Sequence, residues 1–304
     1  MRVGVTGSTG LIGTAVVAAL ERRGDTVVRF LRPSSRPTTG EHIRWDPATG
    51  DVDTSDLQRV GGLDGIVHLA GTGIADHRWS ASYRSLILTS RVTSTKLVVD
   101  VAQQLGGIST LVSGSAIGFY GSRGDEILTE QSTSGADYVA EVCREWERPA
   151  VALRASGTAV TLARTGIVMS TKGGALGKLL PLFQWGLGGQ LGNGRQWMAP
   201  ISITDEVRAL LFALDQRLDG PVNLVAPAPC TNAELTKTLA GSLHRPRFAR
   251  VPALAMSAVL GRECAAATVL SSQRVVPSTL LEAGFTFTSN SIHEIIPAVL
   301  SARD

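Results

Sequence analysis

The 304-residue chain has few cysteines, no long apolar run and no block of like charge, and each shortage removes a class of protein. Its three cysteines, Cys143, Cys230 and Cys264, are odd in number and far apart. They offer neither a disulfide framework nor a short-spaced metal pair, which fits a reducing, cytoplasmic compartment. Although 43% of the residues are hydrophobic, no run of eighteen apolar residues occurs, so no membrane-spanning helix is expected. The opening MRVGVTGSTGLIG is apolar but punctuated by four glycines, with no small-residue cleavage site after an apolar run. It is read as structure and not as a secretion signal.

The formal net charge is only +3, and no basic stripe interleaved with aromatics is present. Nucleic acid is therefore not an expected partner. The five histidines, His42, His68, His77, His244 and His293, lack the close pairing or helical spacing of most metal sites, and no metal is expected.

What is present is a chain long enough for one large domain or a domain with an appended lobe. Arg2 to Thr6 is a short β-branched apolar run that meets Gly7, and residues 11 to 23 carry Leu11, Ile12, Val16, Val17 and Leu20 on one side of a helix. Further strands are expected at Thr26 to Leu31, Asp64 to Ala70, Ser109 to Ser113 and Ala159 to Arg164, with helices at about 80 to 105 and 136 to 155. Alternation of strand and helix implies an α/β fold with a Rossmann-type, doubly wound parallel sheet. The glycine-rich segment Gly173 to Gly194 reads as a loop or lid able to close over a substrate. A helix at about 204 to 217, a strand Val222 to Val225, and helices near Thr231 and at about 253 to 261 follow. The division expected is a nucleotide-binding domain over 1–225 and a small C-terminal α/β lobe over 226–304.

The segment Thr6-Gly7-Ser8-Thr9-Gly10-Leu11-Ile12-Gly13 spaces its glycines as GxxGxxG, directly after a strand and directly before a helix. In that setting Gly7 permits the tight turn, Gly10 lets backbone N–H groups approach a pyrophosphate, and Gly13 lets helix and strand pack closely. Gly7, Thr9, Gly10, Leu11, Ile12 and Gly13 are thus candidate cofactor residues. A site for NAD normally places Asp or Glu at the end of the second strand, but here the chain reads Val27-Val28-Arg29-Phe30-Leu31-Arg32-Pro33-Ser34-Ser35-Arg36. Arg32, with Arg36 and Ser34, is positioned to hold a 2′-phosphate, which favours NADP(H). Gly166 and Val168, after the strand Ala159 to Arg164, fall where such folds receive the nicotinamide end of the cofactor.

The glycine turn, the tetrad His68-Leu69-Ala70-Gly71 and the strand end Ser113-Gly114-Ser115-Ala116 together resemble the extended short-chain dehydrogenase/reductase superfamily. More narrowly, Trp45-Asp46-Pro47, His77-Arg78-Trp79, Ser90-Arg91-Val92, Ala116 to Gly121, Trp146-Glu147, Arg164 to Val168 and Gly186 to Gly189 resemble its atypical epimerase family branch. Ala226-Pro227, Thr231 to Glu234, Ser272 to Pro277 and Glu282 to Phe285 resemble the small C-terminal domain of that branch, so the likeness spans nearly the whole chain. It implies an NADP(H)-binding Rossmann domain with Leu69, Ala70 and Gly71 beside the cofactor, and a small-molecule substrate cleft roofed by the C-terminal lobe. It also implies a monomer or homodimer.

Members of the superfamily pair a serine with YxxxK, where the lysine lowers the tyrosine pKa so that a proton moves while the nicotinamide exchanges a hydride. Ser115 occupies the serine position. Tyr138 is followed by Val139-Ala140-Glu141-Val142, so valine stands where the lysine belongs. Tyr138 is the candidate acid and Tyr120 its substitute, and both also read as ordinary packing residues. His68 and Cys143 are expected in the core, Lys96 on the surface, and Arg91 toward the cleft; His77, Arg78 and Trp79 are expected to begin a helix beside it. The function expected is an NADP(H)-dependent oxidoreductase or epimerase-like enzyme acting on a small carbonyl or sugar-nucleotide-like substrate. The missing lysine keeps open a second reading, a regulatory protein that senses NADP(H) without turnover.

Overall fold

The computed structural model describes residues 1–35, 40–246 and 249–302. Strand β1 (Arg2–Thr6) enters with Val3 and Val5 fully buried and stops at Gly7, and helix α1 (Leu11–Arg22) returns over it. Gly13, Val16, Val17 and Leu20 form the buried face of α1 at helical spacing. Strand β2 (Thr26–Leu31) pairs parallel with β1, from Arg2 opposite Thr26 to Val5 opposite Arg29. Three elements follow that the sequence reading does not anticipate: β3 (His42–Asp46), β4 (Asp51–Val52) and α2 (Thr54–Val60). Only Ile43 and Trp45 of β3 are buried, a signal too short to stand out among polar neighbours. The Asp53 carboxylate caps α2 by accepting from the N–H groups of Ser55 and Asp56.

Strand β5 (Gly65–His68) is buried throughout, and α3 (Ala81–Gln104) begins with its cap Ser80 accepting from Tyr83 N–H. The helix therefore starts after His77, Arg78 and Trp79, which lie in the preceding loop and not on a helix. Next come β6 (Thr110–Ala116), a 3₁₀ turn over Ile117–Tyr120, β7 (Ile127–Leu128), α4 (Tyr138–Val151), β8 (Ala159–Thr165) and β9 (Ile167–Met169). The glycine-rich segment expected as a loop contains helix α5 (Gly174–Gln184) and strand β10 (Gly189–Leu191). Leu176, Leu180 and Phe183 recur at helical spacing and are buried, and that apolar period outweighs the glycines around it.

Strands β11 (Trp197–Met198) and β12 (Pro200–Ser202) lead into α6 (Ile203–Asp215) and β13 (Gly220–Leu224). The chain ends through β14 (Cys230–Thr231), α7 (Asn232–Ser242), β15 (Ala249–Val251), α8 (Ala253–Leu260), α9 (Arg262–Ala267), β16 (Arg274–Val275), α10 (Ser278–Glu282) and α11 (Ile292–Ser301). Thr231 and Glu234 form a reciprocal capping box on α7. No helix among the described residues is long and apolar enough to cross a membrane.

Eight strands form one sheet in the order β13-β8-β6-β5-β1-β2-β3-β4, parallel except for β4, which runs antiparallel to β3. This is the doubly wound α/β sheet expected from the alternation. Helices α1 and α6 cover one face through Val16, Val17, Leu20, Leu210 and Leu214, and α2, α3 and α4 cover the other through Leu57, Val98, Val101 and Ala150. Each fully buried Val, Leu or Ile contributes about 1.5–3 kcal/mol. A third cluster joins α5 to α7 and α11 through Leu176, Leu180, Leu235, Leu239, Ile295 and Ile296. From β1 the chain winds outward to β2 and β3, then crosses back to β5 on the other side of β1. The switch of direction between β1 and β5 opens a crevice beyond their carboxyl ends, the place where open α/β sheets bind ligands.

Candidate cofactor-binding and active site

The crevice floor is the turn from Gly7 to Gly13. Gly7 has φ +63°, and a Cβ there would lie 2.8 Å from the Leu69 carbonyl oxygen, so the turn and the neighbouring β5 strand end both require glycine. A Cβ on Gly13 would sit 2.1 Å from the Gly7 carbonyl oxygen, which fixes glycine where α1 crosses the turn. Gly10 is exposed and less crowded, its Cβ meeting only the Gly7 oxygen at 3.3 Å. Gly10 is also the N-cap of α1, with no side-chain cap. The first-turn N–H groups of α1 thus face the crevice beside a residue without a side chain, a cradle that fits a phosphate. Thr9 is exposed, and Leu11 and Ile12 are half-buried at the same edge.

The strand ends beside the turn are locked by a buried polar chain. Thr6 Oγ1 accepts from the N–H groups of Leu69 (3.0 Å) and Ala70 (3.2 Å) and donates to His68 Nδ1 (2.7 Å). His68 Nε2–H donates to Thr95 Oγ1 (3.0 Å), whose own proton goes to the Arg91 carbonyl (2.8 Å). This pattern requires neutral imidazole, and complete burial pushes the His68 pKa down to about 3. His68 is a core residue that shapes the loop Leu69-Ala70-Gly71, and Gly71 is exposed at its tip.

Arg32 and Ser34 are both exposed directly after β2, whereas Arg36 lies outside the described residues. At the far end of the crevice, a Cβ on Gly166 would sit 2.4 Å from the carbonyl oxygen of Ala199, the residue before β12, so packing there already demands that glycine. Val168 lies in β9, opposite Ile201 of β12.

Ser115, at the carboxyl end of β6, is buried and donates to Glu147 Oε1 at 2.6 Å. Glu147 is gripped by Arg164 through two bonds, from Nε at 2.9 Å and Nη2 at 3.0 Å. Arg164 Nη1 reaches the Tyr120 hydroxyl at 3.1 Å, and Tyr120 donates to Asn223 Oδ1 at 2.6 Å. Burial raises the Tyr120 pKa, and the ring is wholly enclosed. Tyr138 heads α4 and donates to the Arg84 carbonyl at 2.5 Å, with the Arg84 guanidinium 4.1 Å from its ring centre. Burial holds its phenol above the ordinary range. Ser115 and Tyr138 therefore belong to different hydrogen-bond groups, one running into the sheet and the other to the start of α3.

Burial drives the Cys143 thiol up to about 12, with Glu147 adding to the shift, as suits a core cysteine. Lys96 is exposed. Arg78 Nε donates to the Val259 carbonyl at 3.1 Å, and Arg84 pairs with Glu263 at 3.1 Å, so the loop after β5 and the start of α3 meet the C-terminal segment. A cavity of about 740 Å³ shares Thr9, Gly10 and Leu11 with the turn and extends past Lys172 and Thr204 to Val299. None of Arg32, Gly71, Ser115 or Tyr138 lines it, so it is a separate hollow along α1.

Residues 3–225 match the model of the NAD dependent epimerase/dehydratase family, well over half of the chain. The chain belongs to that family. Residues 251–297 of this epimerase/dehydratase family chain also match a domain of unknown function. An epimerase family protein of Mycobacterium bovis is 42% identical over 97% of this chain and 96% of its own length. The epimerase family protein SDR39U1 of Bos taurus is 35% identical over 99% and 100%. Among solved structures, human epimerase family protein SDR39U1, crystallised with NADPH, matches with a TM-score of 0.86 at 29% identity, covering 100% of both chains. UDP-N-acetylglucosamine 4-epimerase from Bacillus cereus, at 18% identity and a TM-score of 0.78, shares the fold.

Sequence reasoning missed the roles of Glu147 and Arg164. Both stand in stretches that carry the family resemblance, but nothing in their spacing shows that one carboxylate, on α4, bridges Ser115 of β6 to Arg164 of β8. It also missed Glu206, buried on α6, where Thr165 Oγ1 donates to it at 2.8 Å and burial lifts its pKa to about 8.

Proposed function

We propose that this epimerase/dehydratase family chain is an NADP(H)-dependent oxidoreductase or epimerase acting on a small carbonyl or sugar-nucleotide-like substrate. The observation that carries the cofactor preference is the end of β2, which has no carboxylate and is followed at once by exposed Arg32. A ribose 2′-hydroxyl calls for an acidic acceptor there, and a 2′-phosphate calls for a guanidinium. The NADPH in the human SDR39U1 structure supports the same choice.

In this reading the first-turn N–H groups of α1 at Leu11, Ile12 and Gly13 hold the pyrophosphate, with Thr9 at its edge, and Arg32 and Ser34 hold the 2′-phosphate. The backbone of Leu69, Ala70 and Gly71 borders the dinucleotide, and Gly166 and Val168 border its nicotinamide end. The nicotinamide supplies hydride chemistry when bound. Ser115, whose proton goes to Glu147, offers lone pairs to a substrate hydroxyl. Tyr138, lacking a lysine four residues on and raised by burial, stays protonated at neutral pH and acts as a proton donor once it releases the Arg84 carbonyl. Three free, buried cysteines support a reducing, cytoplasmic setting.

The test is label transfer from NADPH deuterated at C4 of the nicotinamide, across a panel of aldehydes, ketones and sugar nucleotides. Stereospecific appearance of the label in a product supports the reading. NADPH binding without label transfer to any panel member, together with no epimer formed from any sugar nucleotide in the presence of NADP+, contradicts turnover.

A further inference from the structure

Helices α3 and α4 meet along two matched ridges, Tyr83, Ile87 and Arg91 on one and Tyr138, Val142 and Trp146 on the other. Tyr83, Ile87, Val142 and Tyr138 share one apolar cluster, so the position where YxxxK would carry its lysine is taken up by packing. One turn further along, the Arg91 guanidinium carbon lies 4.8 Å from the centre of the Trp146 ring. The cleft thus has a cation after all, on the opposite helix.

Among the described residues Arg91 has no carboxylate to balance it. The ionisable groups that bear on its charge are Cys143, Tyr138 and Tyr83, and burial pushes its pKa below the usual arginine value. Glu147, beside Trp146, is taken up by Arg164 through both oxygens. Arg91 Nη1 donates to the carbonyls of Thr72 (2.8 Å) and Ile87 (3.0 Å), whereas Nε and Nη2 have no acceptor among the described residues. Gly71 leaves this edge uncovered: a Cβ there would lie 3.3 Å from Arg91 Cγ, 3.4 Å from Cζ and 3.6 Å from Nε. The half-buried guanidinium stays charged, and its two donors without a protein partner are free to meet an anion in the crevice. Two parallel N–H donors of arginine match a phosphate or a carboxylate.

We propose that Arg91 is an anion-receiving residue of the crevice, binding a phosphate or carboxylate group beside Gly71. The proposal rests on the reading that the crevice holds a dinucleotide and its substrate, and the anion belongs either to the dinucleotide's diphosphate or to the substrate.

The experiment compares the wild type with Arg91→Met and Arg91→Lys, first titrating NADPH and then titrating the NADPH-saturated proteins with inorganic pyrophosphate and with malonate. Arg91→Met is expected to lose about tenfold or more in one of the two stages, and Arg91→Lys to recover part of that loss. A loss confined to NADPH assigns the anion to the dinucleotide. Unchanged NADPH affinity with loss of pyrophosphate or malonate binding assigns it to the substrate. Binding of all three probes by Arg91→Met as by the wild type overturns the proposal. So does a loss that comes with a lowered melting temperature and is not recovered by Arg91→Lys, since that marks Arg91 as an anchor of the Thr72 loop. If the wild type binds no NADPH, the dinucleotide reading fails on its own. Titration of the free protein with pyrophosphate and malonate then still decides the role of Arg91.

Discussion

Ser115 Oγ donates to Glu147 Oε1 at 2.6 Å, and the same carboxylate receives two bonds from Arg164, so a side chain at the expected catalytic position is fastened to a buried ion pair. Removing different members of this group costs different amounts. Glu147→Ala strands a guanidinium that is 4% exposed and is expected to destabilise the fold by about 3–5 kcal/mol. Ser115→Ala loses one hydrogen bond and is expected to cost about 0.5–1.5 kcal/mol. Urea denaturation of the two variants checks the order, and equal losses would contradict it.

The glycine turn separates packing from ligand approach. Gly13→Ala places a methyl group where the Gly7 carbonyl oxygen lies and is expected to shift α1, costing stability and NADPH binding together. Gly10→Ala meets only the Gly7 oxygen at 3.3 Å and is expected to fold, yet to lose about tenfold or more in NADPH affinity as the methyl crowds the phosphate. Melting curves and cofactor titrations of both variants distinguish the two roles. A Gly10→Ala protein that binds NADPH normally would remove that glycine from the phosphate site.

Two buried groups set opposite pH slopes. His68 titrates at about 3 when folded and near 6.5 when unfolded, so between those values the unfolded chain takes up a proton that the fold refuses, and stability falls as pH falls. Glu206 titrates at about 8 when folded and near 4.5 when unfolded, so its fold keeps a proton the unfolded chain has lost, and stability falls as pH rises from 4.5 to 8. The slopes cancel between pH 4.5 and 6.5, and above 6.5 the Glu206 slope stands alone, at about 1.4 kcal/mol per pH unit. Denaturation across pH 6.5 to 8 should show that decline in the wild type and a flatter profile in Glu206→Gln. The same slope in both proteins would refute the assignment.

The thiols should be silent in the folded protein. Burial lifts Cys143 and Cys230 to about 12 and raises Cys264 as well, so thiolate is scarce at pH 8. Iodoacetamide followed by mass measurement is expected to modify none of the three in buffer and all three in urea. Rapid labelling of Cys143 in buffer would place it in the crevice and not in the core.

Much of this was legible in the sequence because the central strands are uniformly apolar and the helices periodic, which made β1, β2, β5, β6 and β8 readable from residue order alone. The glycine turn was legible for the same reason, since its spacing is a local steric requirement of Gly7 and Gly13. Strand β3 was hidden because only Ile43 and Trp45 turn inward, and α5 because glycines surround Leu176, Leu180 and Phe183. The ion pair of Glu147 with Arg164 joins α4 to β8 and exists only after the sheet has formed. The isolation of Arg91 is likewise a property of what surrounds it, and spacing along one helix does not carry it.

The most direct test of the account is a fluorescence titration of the protein with NADPH and NADH, repeated on Arg32→Ala. Binding of NADPH at least about tenfold tighter than NADH, roughly 1.4 kcal/mol, with that preference lost in Arg32→Ala, is the predicted result. Equal affinity for the two cofactors, or a preference that survives in Arg32→Ala, would contradict the phosphate site after β2. Absence of binding to either would contradict the dinucleotide crevice itself.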